Sequence, residues 1–317
     1  MTETVRPLIL FSLPRSGSTL LQRILSGHPG IASTAEPWLL IPQLYAFRES
    51  GVAAQYRHRS LVRALEDFCN ELPEGKQTYL RELRRFVLSL YSQAAGPEAT
   101  YFLDKTPRYA LIAEDVLSVF PEGKFVFLWR NPLAAAASMV ETWYDGKWRL
   151  RSRRLDLEDS LVNLVRARRL ADERAIDVRF EDLLTDPESQ LKRICGYLEL
   201  DFQPAMIDRF ADVGFSGRLG DPTGTVRYRQ LSTEPLTKWK RTFCNPLRKR
   251  WARKYLARIG PETLEQMGYD SSELIRELDD IPAGVRRMVG DVFETVRGAV
   301  RDTVKRPPPH RSRTTAG

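Results

Sequence analysis

Short apolar runs alternate along the chain with longer stretches whose apolar positions recur every three or four residues, a pattern of strands separated by helices. Residues 7–13 (PLILFSL) form the first run, a Pro-Arg-Ser-Gly-Ser-Thr turn follows, and TLLQRIL takes up helical spacing from about Thr19. A second run, residues 31–33, leads to Glu36-Pro37. Proline restricts the residue before it to extended geometry, so Glu36 is expected at the C-terminal edge of a strand. Helical periodicity then predicts helices over about 38–48, 58–71 and 76–95. The runs at 101–105 (YFLDK) and 124–130 (KFVFLWR) flank an amphipathic helix at 109–120 and end in charged residues, as buried parallel strands with functional C-terminal ends do. Beyond Asn131-Pro132 the alanine-rich LAAAASMVE predicts a helix starting directly after its strand. The pattern closes with a helix at 157–174, a strand at 175–180, and a helix at 187–198 whose Leu191, Ile194, Cys195 and Leu198 share one face. The fold class is therefore α/β, a central parallel sheet of about five strands flanked by helices.

Residues 202–231 are rich in Gly, Asp, Pro and Arg, which suits an ordered loop over a site; about 212–231 reads as lid-like. Helical stretches resume to about 278. Residues 1–280 are thus expected to be one domain, followed at 281–317 by a C-terminal helix and a basic, proline-containing tail without apolar periodicity.

Composition narrows the function. At 317 residues, 42% hydrophobic and 28% charged, the chain has material for one large core. No run of 18 apolar residues and no secretory pattern appear, so neither an integral membrane segment nor export is expected, and the setting is read as cytoplasmic. Cys69, Cys195 and Cys244 are odd in number and far apart, which fits packing residues in a reducing compartment and not a disulfide framework or metal site. The net charge of +8 points to an anionic partner. With no RNA-binding motif or helix-turn-helix pattern, nucleic acid is not the expected one. A homo-oligomer is left open.

The chemistry is written in the first turn. A strand, a loop containing Gly17 and small hydroxyl residues, and a helix start converge free N–H groups and a positive helix end on one point, so Arg15, Ser16, Gly17, Ser18 and Thr19 are expected to cradle phosphate. The triphosphate loop G-x-x-x-x-G-K-[ST] is not met, since Gly17 precedes Ser18-Thr19 and the loop has no lysine. The metal-binding aspartate of those enzymes is also missing: the strand at 124–130 ends in Trp129-Arg130-Asn131, which attracts a second phosphate. Arg130 at a strand end and Ser138 eight residues on, about two helical turns, are placed to hold one anion together.

These paired motifs, PRSGST (14–19) and RNPLAAAAS (130–138), resemble those of the PAPS-dependent sulfotransferases, whose donor 3′-phosphoadenosine 5′-phosphosulfate carries phosphate at both ends. The resemblance spans about residues 7–240 and implies a P-loop-like fold, donor contacts from Arg15 to Thr19, Arg130 and Ser138, and no required metal. With arginine in the loop, DKTPR (104–108) and STEPLTKW (232–239), the sequence looks more like the glycan, tyrosylprotein and bacterial members than the cytosolic phenol or steroid enzymes, which use a histidine base. By the same resemblance Glu36 takes the base role, Lys105 contacts the transferring group, and Ser232 and Lys238 contact the donor from the lid side. A carboxylate within reach of the acceptor hydroxyl contributes ~10²–10⁴-fold. Arg15 and Lys105, with loop N–H groups, would stabilise the sulfuryl oxygens and leaving phosphate, about 3–4 kcal/mol for one good donor.

Plainer readings stand beside these. Glu36, read first as the base, is also readable as a surface carboxylate before a proline, and His28 in SGHPG, which could be a base, reads better as a cap or turn residue after the first helix. Asp104 is readable as the ion-pair partner of Lys105, and Arg108 as a solvated helix-start residue. Trp38, Trp143, Tyr144 and Trp148 fit an acceptor wall or the core, and the run from Arg149 to Arg154 a solvated face. The acceptor segments, about 38–100 and 140–156, carry no decisive motif; a hydroxyl on a glycan, lipid or natural product is the preferred acceptor. Two other functions remain open, a Mg-dependent nucleotide kinase and a non-catalytic basic module that binds anions.

Overall fold

The computed structural model describes residues 5–215, 230–285, 287–294 and 297. Five strands, β1 (Arg6–Ser12), β2 (Ile31–Ser33), β3 (Tyr101–Asp104), β4 (Lys124–Trp129) and β5 (Ala175–Arg179), form one sheet in the order β2-β3-β1-β4-β5. Every pairing is parallel, with Ile9 opposite both Asp104 and Phe125. The helices of the first half are α1 (Ser18–Leu25), α2 (Leu40–Tyr45), α3 (His58–Asn70), α4 (Lys76–Ala94), α5 (Ala113–Val119) and α6 (Pro132–Tyr144). Those of the second are α7 (Ser160–Ala171), α8 (Phe180–Thr185), α9 (Pro187–Leu198), α10 (Ala205–Asp208), α11 (Glu234–Lys238), α12 (Pro246–Ile259), α13 (Pro261–Gln266) and α14 (Ser271–Asp279).

The strands are apolar on both faces because helices cover both. Leu8 and Leu10 of β1 join Val126 and Leu128 of β4 in a core shared with α1 and α9. Ile9, Phe11, Phe125, Phe127 and Trp129 point the other way, into a core with α4 to α7 and α12. Each fully buried Leu, Ile or Phe contributes about 1.5–3 kcal/mol, so alternate residues of one strand hold two helical layers. The sheet order reverses at β1, with β3 on one side and β4 on the other. A crevice outside the strand ends at such a point is where α/β sheets bind ligands.

Several boundaries differ from the sequence expectation. The helix expected at 109–120 is a 3₁₀ turn, Pro107–Leu111, and then α5; Ile112, at φ −130°, leaves helical geometry between them. The helix expected from 157 opens with a wider turn, Leu155–Asp159, before α7. Phe180, expected as the last strand residue, is the first of α8. Residues 216–229 of the lid-like loop and 298–317 of the tail lie outside the described residues.

His28 is structural: its Nδ1 accepts from Gly30 N at 3.0 Å, so its Nε2 donates to Asp201 O at 3.0 Å. Cys69 and Cys195 are buried, and all three thiols are free.

Beneath the end of β3 lies a polar strut. Asp104 is fully buried and accepts from Tyr91 Oη at 2.5 Å, Tyr109 Oη at 2.8 Å and Thr106 Oγ1 at 3.0 Å. Burial raises its pKa to about 6, the three donors opposing that rise. The sequence reading that paired Asp104 with Lys105 is corrected: the tyrosines take its oxygens, and Lys105 turns elsewhere.

Two predictions follow from packing and burial. Gly17 has φ +91°, and a Cβ there would sit 2.2 Å from the Phe180 ring. Gly17→Ala is expected to lose at least ~2 kcal/mol in denaturant unfolding, from the strained φ and the overlap. Asp104 is a carboxyl whose folded pKa is raised, so the folded chain takes up its proton before the unfolded one as pH falls. Relative to Asp104→Asn, the parent protein should therefore gain stability between about pH 6 and 4, by up to ~3 kcal/mol, in unfolding curves measured across that window.

Candidate active site

The loop after β1 is shaped by two left-handed residues, Arg15 (φ 68°) and Gly17 (φ 91°). Ser16 N donates to Leu13 O at 3.3 Å and closes the turn. Gly17 then caps α1, whose first turn carries no acidic residue. The first N–H groups of α1 thus end on the loop, with the positive end of the helix behind them. Ser16, Ser18 and Thr19 are buried around it.

The Arg130 guanidinium lies 4.5 Å over the Phe180 ring, and its Nη1 donates to Arg15 O at 2.7 Å. Next in the chain, Asn131 accepts from Leu133 N and Ala134 N and so caps α6, while its own N–H donates to Glu181 Oε1 at 3.0 Å. Tyr269 Oη holds the other oxygen of Glu181 at 2.6 Å. Arg130 is therefore aimed by a capped helix, a ring and a carbonyl. From α6, Ser138 Oγ accepts from Arg15 Nε at 3.3 Å, which ties the two motifs together.

Arg15, Arg130 and Ser138 line a pocket that α11 and the turn after it complete, with Ser232, Lys238 and Trp239 among the lining side chains. Leu20, Ala134 and Leu184 add apolar wall. Lys238 Nζ also pairs with Glu234 Oε1 at 3.0 Å on an exposed surface. Of the predicted donor residues, Arg15, Arg130, Ser138, Ser232 and Lys238 line this cavity, while Ser16, Gly17, Ser18 and Thr19 are not among its lining residues.

A second group gathers at the other predicted residues. Lys105, 2% exposed, donates to Glu36 Oε1 at 2.7 Å and stands 3.5 Å from Thr19 Oγ1. Glu36 is not a surface carboxylate; its side chain is 13% exposed. Its Oε2 accepts from Trp38 Nε1 at 3.2 Å, and Trp38 itself holds a left-handed φ of 56°. Lys105 bridges this carboxylate to the first turn of α1, so the pair abuts the phosphate loop through Thr19.

The other candidates take structural partners. Arg108 is not a solvated residue: its Nη1 reaches buried Asp156 at 2.5 Å, and Arg153 meets the other oxygen at 3.5 Å. The run from Arg149 to Arg154 is largely solvent-exposed, as the sequence suggested, and carries surface ion pairs, Arg149 with Glu294 and Arg154 with Glu158. Trp143 and Trp148 pack on the core, Trp148 edge-on to Phe243 and Trp251; Arg153 lies 4.4 Å over Trp143 and its Nε donates to Tyr144 Oη. Sequence reasoning missed Phe180, which touches Gly17 and Arg130; its signal was an aromatic at the end of the fifth strand. Trp38, offered as an acceptor wall or core residue, instead donates to Glu36, two residues before it.

Residues 7–204 match the sulfotransferase family. The nodulation protein NoeE of Sinorhizobium fredii is 36% identical over 149 residues, 45% of this chain, and the match spans 34% of that protein's length. A putative protein-tyrosine sulfotransferase of Caenorhabditis briggsae is 24% identical over 276 residues, 82% of this chain and 88% of its own. The solved sulfotransferase domain of the Synechococcus PCC 7002 olefin synthase has a TM-score of 0.52 at 26% identity, covering 75% of this chain and 88% of that one. Fold, loop and family match converge, and the chain belongs to the sulfotransferase family as an enzyme, a sulfotransferase.

Proposed function

We propose that this sulfotransferase takes its sulfuryl group from 3′-phosphoadenosine 5′-phosphosulfate and gives it to a hydroxyl of a glycan, lipid or natural product. The observation that carries the reading is the single cavity on which Arg15, Arg130 and Ser138 converge, two arginines and a hydroxyl beside a helix N-terminus. The donor fits these residues: Arg15, Arg130 and Ser138 offer hydrogen-bond donors for its phosphates, and Leu20, Ala134 and Leu184 offer apolar wall for a base. When bound, the donor supplies the sulfuryl group and leaves as adenosine 3′,5′-bisphosphate.

Each residue then has a task. Arg130 and Ser138 hold the 3′-phosphate, where charge-assisted bonds favour a fixed anion. The loop from Arg15 to Thr19 holds the 5′ end, and Ser232 and Lys238 close on the donor from the α11 side. Glu36 accepts the proton of the acceptor hydroxyl at its carboxylate. Lys105, already between Glu36 and Thr19, stabilises negative charge that moves toward the loop as the bond to the leaving phosphate breaks. Arg130 at the end of β4 favours anions where a triphosphatase would hold magnesium, which speaks for a metal-independent site. Three free thiols agree with a cytoplasmic setting.

Calorimetric titration with adenosine 3′,5′-bisphosphate tests the donor assignment. Micromolar binding unchanged by a chelator is expected, weakened about 10–150-fold in Arg130→Ala and less in Ser138→Ala, as loss of a charged and of a neutral hydrogen bond implies. Tight magnesium-dependent ATP binding without bisphosphate binding would overturn it in favour of a kinase.

A further inference from the structure

The C-terminal part of the described chain is held to the body by polar side chains. Asp291, 2% exposed, takes Arg248 in a two-pronged ion pair, Nε to Oδ2 at 2.6 Å and Nη2 to Oδ1 at 2.8 Å, and accepts from Asn245 Nδ2 at 2.7 Å. Glu294 accepts from Arg149 Nε and Nη2 at 2.9 and 2.7 Å, and Arg287 Nη1 donates to Asp145 O at 2.7 Å. Positions 287, 291 and 294 follow helical spacing, and residues 288–294 are helical, so one face of this helix is spent on the body.

The opposite face is apolar and open. Val285 is 78% exposed, Val289 84%, Val292 48% and Phe293 65%. Surface helices normally turn this stripe inward and the charges outward. Here the buried Arg248–Asp291 pair fixes the reverse, because freeing Asp291 to turn the helix over would strand a buried guanidinium. The body therefore does not cover these four side chains. In the sequence, valines at 296, 300 and 304 continue the spacing, and residues 298–317 carry five basic side chains against one acidic. That charge selects the covering partner: a second copy would bring two basic tails together, whereas an anionic surface is attracted to them.

We propose that the apolar face presented by Val285, Val289, Val292 and Phe293 is a membrane-docking surface that lies in the interfacial layer of an anionic lipid bilayer, to which the net positive charge of residues 298–317 adds attraction. Apolar side chains on one helical face with basic residues alongside are what interfacial helices use, and burial of the stripe and attraction to lipid charge add together. Nothing in this spans the bilayer. The enzyme would be held peripherally, at a surface where lipid-linked hydroxyls are presented.

Co-sedimentation of the full-length protein with phosphatidylcholine vesicles, with and without phosphatidylglycerol, tests the proposal. The comparison variant is Val289→Asp with Phe293→Asp; both positions are exposed, so folding should be unaffected, which the thermal unfolding midpoint checks. Binding to phosphatidylglycerol vesicles that weakens as salt is raised, and is at least about tenfold weaker in the double variant, is the expected result. Three results would overturn it: no binding of the parent protein to anionic vesicles, equal binding of parent and double variant, which would assign attraction to the tail charge alone, or a dimer in light scattering that the double variant dissociates, which would give the face to a second copy.

Discussion

The ring of Phe180 is the contact on which the donor side of the molecule depends. It sits at the end of β5, against the backbone of Gly17 and under the guanidinium of Arg130, and so joins three strand ends that are far apart in sequence. No side chain fits at Gly17 while the ring is there, so the close packing of loop and ring requires a glycine. The same ring faces Arg130, whose Nη1 holds Arg15 O, so loop shape and arginine position are set together. On the proposed reading such an anion site is preorganised, its hydrogen-bond donors held by packing before a ligand arrives.

The acceptor side rests on a different kind of constraint. Lys105 and Glu36 are placed by the ends of β3 and β2, and beneath them Asp104, Thr106, Tyr91 and Tyr109 form a fully satisfied polar strut. Trp38 N reaches Thr106 Oγ1 at 3.4 Å, which links the Glu36 turn to that strut. A buried carboxylate whose partners are all supplied locally is costly to create but rigid once formed. This rigidity holds the nearly buried Lys105 ammonium between one carboxylate and the phosphate loop.

Much of the architecture was legible because parallel sheets write their strands as unbroken apolar runs, and all five lie where those runs fall. The residues proposed to hold the donor were picked from local patterns, a glycine turn before a helix and an arginine and serine two turns apart, and Arg15, Arg130 and Ser138 line one pocket. Contacts between distant segments were not legible. No spacing rule connects Phe180 to Gly17, since that contact depends on how strand ends meet in space. Asp104 and Lys105 were paired in the sequence reading because they are neighbours, yet Asp104 ends β3 facing Tyr91, Thr106 and Tyr109, while Lys105, the next residue, turns to Glu36 beyond the end of β2. The partners of Arg108 and Arg149, Asp156 and Glu294, lie far off in sequence and were not legible, whereas Arg153–Asp156 and Arg154–Glu158 stand at helical spacing.

The central claim is that the carboxylate beside the phosphate loop accepts the proton in sulfuryl transfer. It is tested most directly by single-turnover transfer of labelled sulfonate from 3′-phosphoadenosine 5′-phosphosulfate to a hydroxyl acceptor, comparing the parent enzyme with Glu36→Gln, with donor affinity measured on the same samples. The account predicts that donor binding is kept while the transfer rate falls about 10²-fold or more. Transfer at the parent rate with unchanged donor binding would contradict it.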